Sequence, residues 1–126
     1  MAKKVLIVED NELNMKLFHD LLDAQGYETL QTREGLQALA LAREHRPDLI
    51  LMDIQLPGMD GLAATSILKK DPSTAAIPII ALTAMAMKED RAKTFDAGCD
   101  AYITKPLRYK DLYEAIVSLL SREETP

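Results

Sequence analysis

Three apolar runs in this chain end on side chains that can do chemistry. Val5-Leu6-Ile7-Val8 ends on Glu9-Asp10, Leu49-Ile50-Leu51-Met52 on Asp53, and Ile77 to Leu82 on Thr83. A shorter segment, Ala101-Tyr102-Ile103-Thr104, leads into Lys105-Pro106. If these segments lie side by side as strands, Glu9, Asp10, Asp53, Thr83 and Lys105 converge at one edge of a sheet. Three carboxylates crowded together repel one another, and loss of solvent adds to the cost. A hard cation explains such a site: Mg2+ takes oxygen ligands, keeps several waters and needs only a couple of protein carboxylates plus a phosphate. Lys105 adds a point positive charge suited to a phosphoryl oxygen, and Thr83 adds a hydroxyl donor. The set describes phosphoryl transfer to a carboxylate, with Asp53 as the reactive group.

The elements that must hold these residues are legible from apolar patterning. Short apolar runs bounded by turn residues read as strands buried on both faces. A loop rich in Pro and Gly, Gln55-Leu56-Pro57-Gly58-Met59-Asp60-Gly61, follows Asp53. Asp53 therefore stands at a strand's carboxyl end, where open α/β sheets place their ligand sites. Tyr27 to Thr32 and Ala101 to Thr104 alternate between apolar and polar and read as partly buried strands.

Helical patterns separate the strands. Asn11 can cap a first helix that carries Leu13, Leu17, Phe18, Leu21 and Leu22 at helical spacing and stops at Gly26. A second runs from Gly35 to His45, with Leu36, Leu39, Ala40 and Ala42 on its inner side and Pro47 marking its end. Leu62 to Lys70, Met85 to Ala97 and Lys110 to Ser121 give three more, closed in the first two cases by Asp71-Pro72 and Gly98. The last carries Leu112, Tyr113, Ile116, Leu119 and Leu120 at core spacing.

Five strand–helix pairs in strict alternation imply a parallel sheet with helices on both faces. The expected fold is α/β: a (βα)5 doubly wound, flavodoxin-like domain with a five-stranded parallel sheet in the order 2-1-3-4-5. That order puts the fully apolar strands in the middle and a topological switch between strands one and three. The domain is expected to occupy residues 1–121, with residues 122–126 as a polar C-terminal tail.

Composition narrows the function classes. At 126 residues the chain fits one domain of ordinary size. With 48% hydrophobic residues, few aromatics and no Trp, aliphatic side chains must fill the core. A net charge of −5 and no Lys/Arg run argue against nucleic-acid binding. One cysteine, Cys99, forms no internal disulfide and fits a reducing compartment. No signal peptide and no stretch near the ~20 apolar residues of a membrane span point to a cytoplasmic protein with no membrane insertion.

The acidic pair Glu9-Asp10, Asp53 followed by Pro57 and Gly61, Thr83-Ala84, Tyr102 and Lys105-Pro106 occur in an order that resembles the receiver domain of bacterial response regulators. The resemblance covers essentially the whole length, and its first half is similar to regulators of bacterial cell division. It implies that Asp53 is the phosphoacceptor. It implies further that Asp10 and Asp53 ligate Mg2+ with the backbone carbonyl of Gln55, while Glu9 acts through metal-bound water. Thr83, the backbone amide of Ala84 and Lys105 would bind the phosphoryl group. Thr83 and Tyr102 would form the switch, and the bond before Pro106 would be cis. The implied partners are a histidine kinase or histidine phosphotransfer protein and a downstream protein target. The target would dock on the face of the fourth helix, fifth strand and fifth helix.

Plainer readings stand beside these. Asp10 alone reads as a solvated loop residue, Thr83 as a helix cap, and Tyr102 as an edge-strand aromatic. Glu12, Asp20 and Asp23 read as a solvated helix side, and Lys69-Lys70 as solvated charge. His19 and His45 read as surface residues and Cys99 as a packing residue. Met85 and Met87 fit core or rim filling better than a partner surface. An aspartate-nucleophile phosphatase of the haloacid dehalogenase type would carry a second Asp where this chain has Gln55. A flavin-binding module would need a phosphate loop where Glu9-Asp10-Asn11-Glu12 would repel the phosphate.

Overall fold

A computed structural model describes residues 3–54, 56, 58–83, 88–104 and 108–124. The elements alternate along the chain: β1 (Lys4–Val8), α1 (Glu12–Ala24), β2 (Glu28–Thr32), α2 (Gly35–His45), β3 (Leu49–Asp53), α3 (Gly61–Lys70), β4 (Ile79–Thr83), α4 (Lys88–Asp96), β5 (Ala101–Thr104) and α5 (Tyr109–Glu124). All strand pairs are parallel, and the sheet runs β2-β1-β3-β4-β5. The doubly wound fold and strand order expected from the sequence are both present.

The period-two alternation of a strand explains how one sheet serves two cores. Val5, Ile7, Leu49, Leu51, Ile80 and Leu82 face one side, where they meet Phe18 and Leu22 of α1 and Leu112 and Ile116 of α5. Leu6, Val8, Ile50, Met52, Ile79 and Ala81 face the other, against Ala38 and Ala42 of α2 and Ala64 and Leu68 of α3. Every residue of β3 and β4 is buried, whereas β2 is mostly half-buried or exposed. Each buried Leu, Ile or Phe contributes about 1.5–3 kcal/mol relative to exposure, so the central strands are the stiffest support the chain can offer a side chain at their ends.

Several helix details differ from expectation. In α1 the buried row is Met15, Phe18, Leu21 and Leu22, while Leu13 and Leu17 are 79% and 47% exposed. Two apolar rows share this helix, and the sheet covers only the one containing Met15 and Phe18. In α2 the inner side is Gly35, Ala38, Leu39 and Ala42; Leu36 and Ala40 face solvent. β4 begins at Ile79 rather than Ile77. The last helix continues to Glu124, past the Ser121 boundary, because Arg122-Glu123-Glu124 contains good helix formers and no breaker. The part of the fourth helix expected before Lys88 lies outside the described residues.

Candidate functional site

β1 and β3 are neighbours, with Val8 opposite Met52. The residues that follow, Glu9-Asp10 and Asp53, therefore leave the sheet side by side. Glu9 is fully buried, Asp53 is 2% exposed and Asp10 is exposed. One carboxylate oxygen from each lies within 4.8 Å of the others. Among the described residues no other group of acids, histidines or cysteines is gathered this way.

Backbone contacts hold the chain at Glu9 and Asp53 in place. The Glu9 amide donates to Thr32 O at 3.0 Å, which extends the β1–β2 ladder by one residue. The Asn11 amide donates to Glu9 Oε2 at 3.2 Å, and Asn11 Oδ1 accepts from the Asn14 amide to cap α1. The cap therefore fixes the turn that also orients Glu9. Asp53 lies opposite Leu82, and the Ile54 amide donates to Leu82 O at 3.0 Å. Thr83 closes β4, is 4% exposed, and lies opposite Thr104 of β5.

The donor set suits a hard cation. Three carboxylates supply only oxygen, two of them are buried, and their spacing allows one ion to be shared. Mg2+ needs few protein ligands because it retains water, and it offsets repulsion that burial would otherwise intensify. Gln55, Ala84, Lys105 and Pro106 lie outside the described residues. Tyr102 is half-buried on β5, with its ring edge-on to Phe95 of α4 at 5.9 Å and 86°. That contact joins the strand beside Thr83 to the fourth helix.

Residues outside the acid cluster match their plain readings in some cases and depart from them in others. Lys69 is not solvated: its Nζ donates to Ala75 O, Ile77 O and Asp100 Oδ2 at 3.2, 2.7 and 2.9 Å. Glu12 lies on a solvated helix side as expected, and there it pairs with Arg33, whose guanidinium lowers the Glu12 pKa by hydrogen bond and charge. His19 is half-buried, with Nδ1 2.6 Å from Thr29 Oγ1. Cys99 is a packing residue, 6% exposed, and burial pushes its thiol up to about 11. A thiol held protonated is a poor redox nucleophile. The Asn11–Glu9 bond had no sequence signal beyond the cap itself, and Lys69 had none.

Known proteins place this geometry in context. A model of the response regulator receiver domain matches residues 5–117. The polar-differentiation response regulator DivK of Brucella anthropi is 60% identical over 120 residues, covering 95% of this chain and 98% of that protein. A putative response regulator from Chloroflexus aurantiacus superposes with a TM-score of 0.92 at 28% identity, over 96% of this chain and 99% of that one. The receiver domain of a sensor histidine kinase from Pseudomonas aeruginosa, solved with a magnesium ion coordinated in its active site cleft, gives 0.89 at 34% identity over the same shares. With a family match across residues 5–117 and DivK-like identity along nearly its full length, this chain belongs to the response regulator receiver domain family.

Proposed function

We propose that this protein is a phosphorylation switch of a two-component phosphorelay, with Asp53 as the phosphoacceptor. The observation that carries the reading is the convergence of Glu9, Asp10 and Asp53 within 4.8 Å at the end of the sheet's central strands. Asp10, Asp53 and the Gln55 carbonyl would hold Mg2+, with Glu9 reaching it through water. When bound, the ion neutralises charge on the transferring phosphoryl group and its donor.

The donor is a phosphohistidine on a histidine kinase or histidine phosphotransfer protein. An Asp53 carboxylate oxygen attacks phosphorus, the phosphorus–nitrogen bond breaks, and the electron pair leaves with the imidazole. The product is an acyl phosphate on Asp53. A carboxylate is already ionised at neutral pH, so the transfer needs positioning and electrostatics more than a base. Thr83, the Ala84 amide and Lys105 would bind the transferred group.

The acyl phosphate is itself the signal. Thr83 moves toward the new oxygens, and Tyr102 turns into the space it leaves. The contact between Tyr102 and Phe95 passes that change to the fourth helix, shifting a two-state equilibrium on the face of α4, β5 and α5. A downstream protein reads that face. The DivK relatives carry a polar-differentiation name, which supports a role in cell division or cell-cycle signalling. Such a switch works in the cytoplasm, in keeping with the lack, among the described residues, of any helix long and apolar enough to cross a membrane.

Asp53→Asn keeps the shape of the side chain and removes the nucleophile. The variant should take no label from acetyl phosphate in the presence of Mg2+, while wild type is labelled once per molecule. Label that persists on the folded variant moves the phosphoacceptor elsewhere and ends this reading.

A further inference from the structure

The loop after Asp53 ends at a glycine whose backbone does not require one. Gly61 is the first residue of α3, and its φ is outside the left-handed region where Gly26, Gly58 and Gly98 lie. What sets it apart is space. A Cβ built on Gly61 would stand 2.2 Å from Asp53 O, 2.7 Å from Ile54 Cα and 2.9 Å from Asp53 C. All three are main-chain atoms, so no side-chain rotation relieves the overlap.

The same turn is tied down on both sides. The Gly61 amide donates to Ile54 O at 2.9 Å, and Asp60 Oδ1 caps the helix by accepting from the Ala63 amide at 2.8 Å. From the opposite side, Leu82 O accepts from the Ile54 amide. The main chain at Asp53 is thus held between β4 and the first turn of α3.

We propose that Gly61 is a positioning residue for Asp53: the bare first turn of α3 rests on the Asp53 carbonyl and sets where the carboxylate stands relative to Glu9 and Asp10. The inference rests on Asp53 being the phosphoacceptor. Its chemical basis is that small displacements of a reacting group are costly. A 1 Å misplacement lowers rate by about 100-fold.

Gly61→Ala tests this against Gly26→Ala. Gly26 sits at the far end of α1 at φ +86°, with nothing within 4 Å of an added Cβ. Its substitution is strained but touches nothing near Asp53. Both variants should melt lower than wild type. At a temperature where both are folded, Gly61→Ala should be labelled by acetyl phosphate about 100-fold more slowly at saturating donor. By calorimetry it should bind Mg2+ about tenfold more weakly, as when the support of a metal ligand is lost. Gly26→Ala should match wild type in both.

A folded Gly61→Ala with wild-type rate and Mg2+ affinity overturns the proposal. So does an equal loss in Gly26→Ala, which would trace the defect to stability alone. If Gly61→Ala does not fold, Asp60→Ala loosens the same turn by removing its cap. Slower labelling and weaker Mg2+ binding then support the role, and wild-type values overturn it. Failure of wild type itself to take label refutes the phosphoacceptor reading instead, so the two failures are distinct.

Discussion

The two ends of the sheet bury charge in opposite ways. At the carboxyl ends of β1 and β3, Glu9, Asp10 and Asp53 bring like charges together, two of them out of solvent. At the amino end of β4, Lys69 meets Asp100 at 2.9 Å, and each finds further partners. Lys69 satisfies the carbonyls of Ala75 and Ile77, while Asp100 Oδ2 also accepts from the Ile79 amide at 2.8 Å. One end pairs opposite charges within the protein; the other gathers like charges, whose repulsion a bound cation would lower. The first arrangement fastens α3 and the loop before β5 to the sheet. The second gathers the oxygen donors that a hard cation takes.

The largest effect should come from the completed end. Lys69→Met removes the ammonium but keeps most of the stem. It leaves two carbonyls without their shared donor and Asp100 without its counter-charge. Breaking a fully buried pair costs about 3–5 kcal/mol. With side chains 18% and 28% exposed, about 2 kcal/mol is expected once solvent screening is allowed for. Urea denaturation reads this directly, and a loss below the level of ordinary surface substitutions would show that the clasp is ornamental.

The fold was largely legible because its three central strands are continuous apolar runs, a pattern that few alternatives satisfy. The gathering of Glu9, Asp10 and Asp53 was legible for the same reason, since acids placed right after neighbouring parallel strands leave the sheet together. What was hidden depends on which of two equivalent surfaces the rest of the chain covers. Leu13 and Leu17 share α1 with Met15 and Phe18, and only packing against the sheet distinguishes the rows. Lys69 looks like any lysine near a helix end. Its role comes from carbonyls and an acid 6 to 31 residues away, a relation no local spacing encodes. Gly61 was visible as a loop glycine, but its contact with Asp53 O is tertiary.

The acidic end should respond next, and in the opposite direction. Asp53→Asn removes one charge from the cluster, so without Mg2+ it should be more stable than wild type by about 1 kcal/mol, near 4 °C in melting temperature. Adding Mg2+ at ten times its dissociation constant should stabilise wild type by about 1.4 kcal/mol. The variant should gain less. Differential scanning calorimetry with and without Mg2+ checks both. A wild type indifferent to Mg2+, or a variant no more stable than wild type, would remove the electrostatic contrast between the two ends.

The smallest effect belongs to the Arg43–Asp71 pair, whose cation is far more exposed than Lys69. Arg43 Nε lies 2.8 Å from Asp71 Oδ2, joining the ends of α2 and α3. The Arg43 hydrogen bond, then those from the Ser73 amide and hydroxyl, hold the Asp71 carboxyl down to about 2 from 3.8. A depressed carboxylate pKa means the folded state releases this proton more readily than the unfolded state. The pair therefore stabilises fully above the unfolded value near 3.8, and its contribution fades as pH falls toward 2. Arg43→Ala should narrow this dependence: its stability deficit should be constant from pH 5 to 7 and shrink below pH 3.8. The Arg43 side chain is 49% exposed where that of Lys69 is 18% exposed, so the deficit at pH 7 should be well below that of Lys69→Met. Equal deficits would mean that the Lys69–Asp100 clasp gains nothing from its enclosure, and that the difference between the two ends of the sheet is one of sign alone.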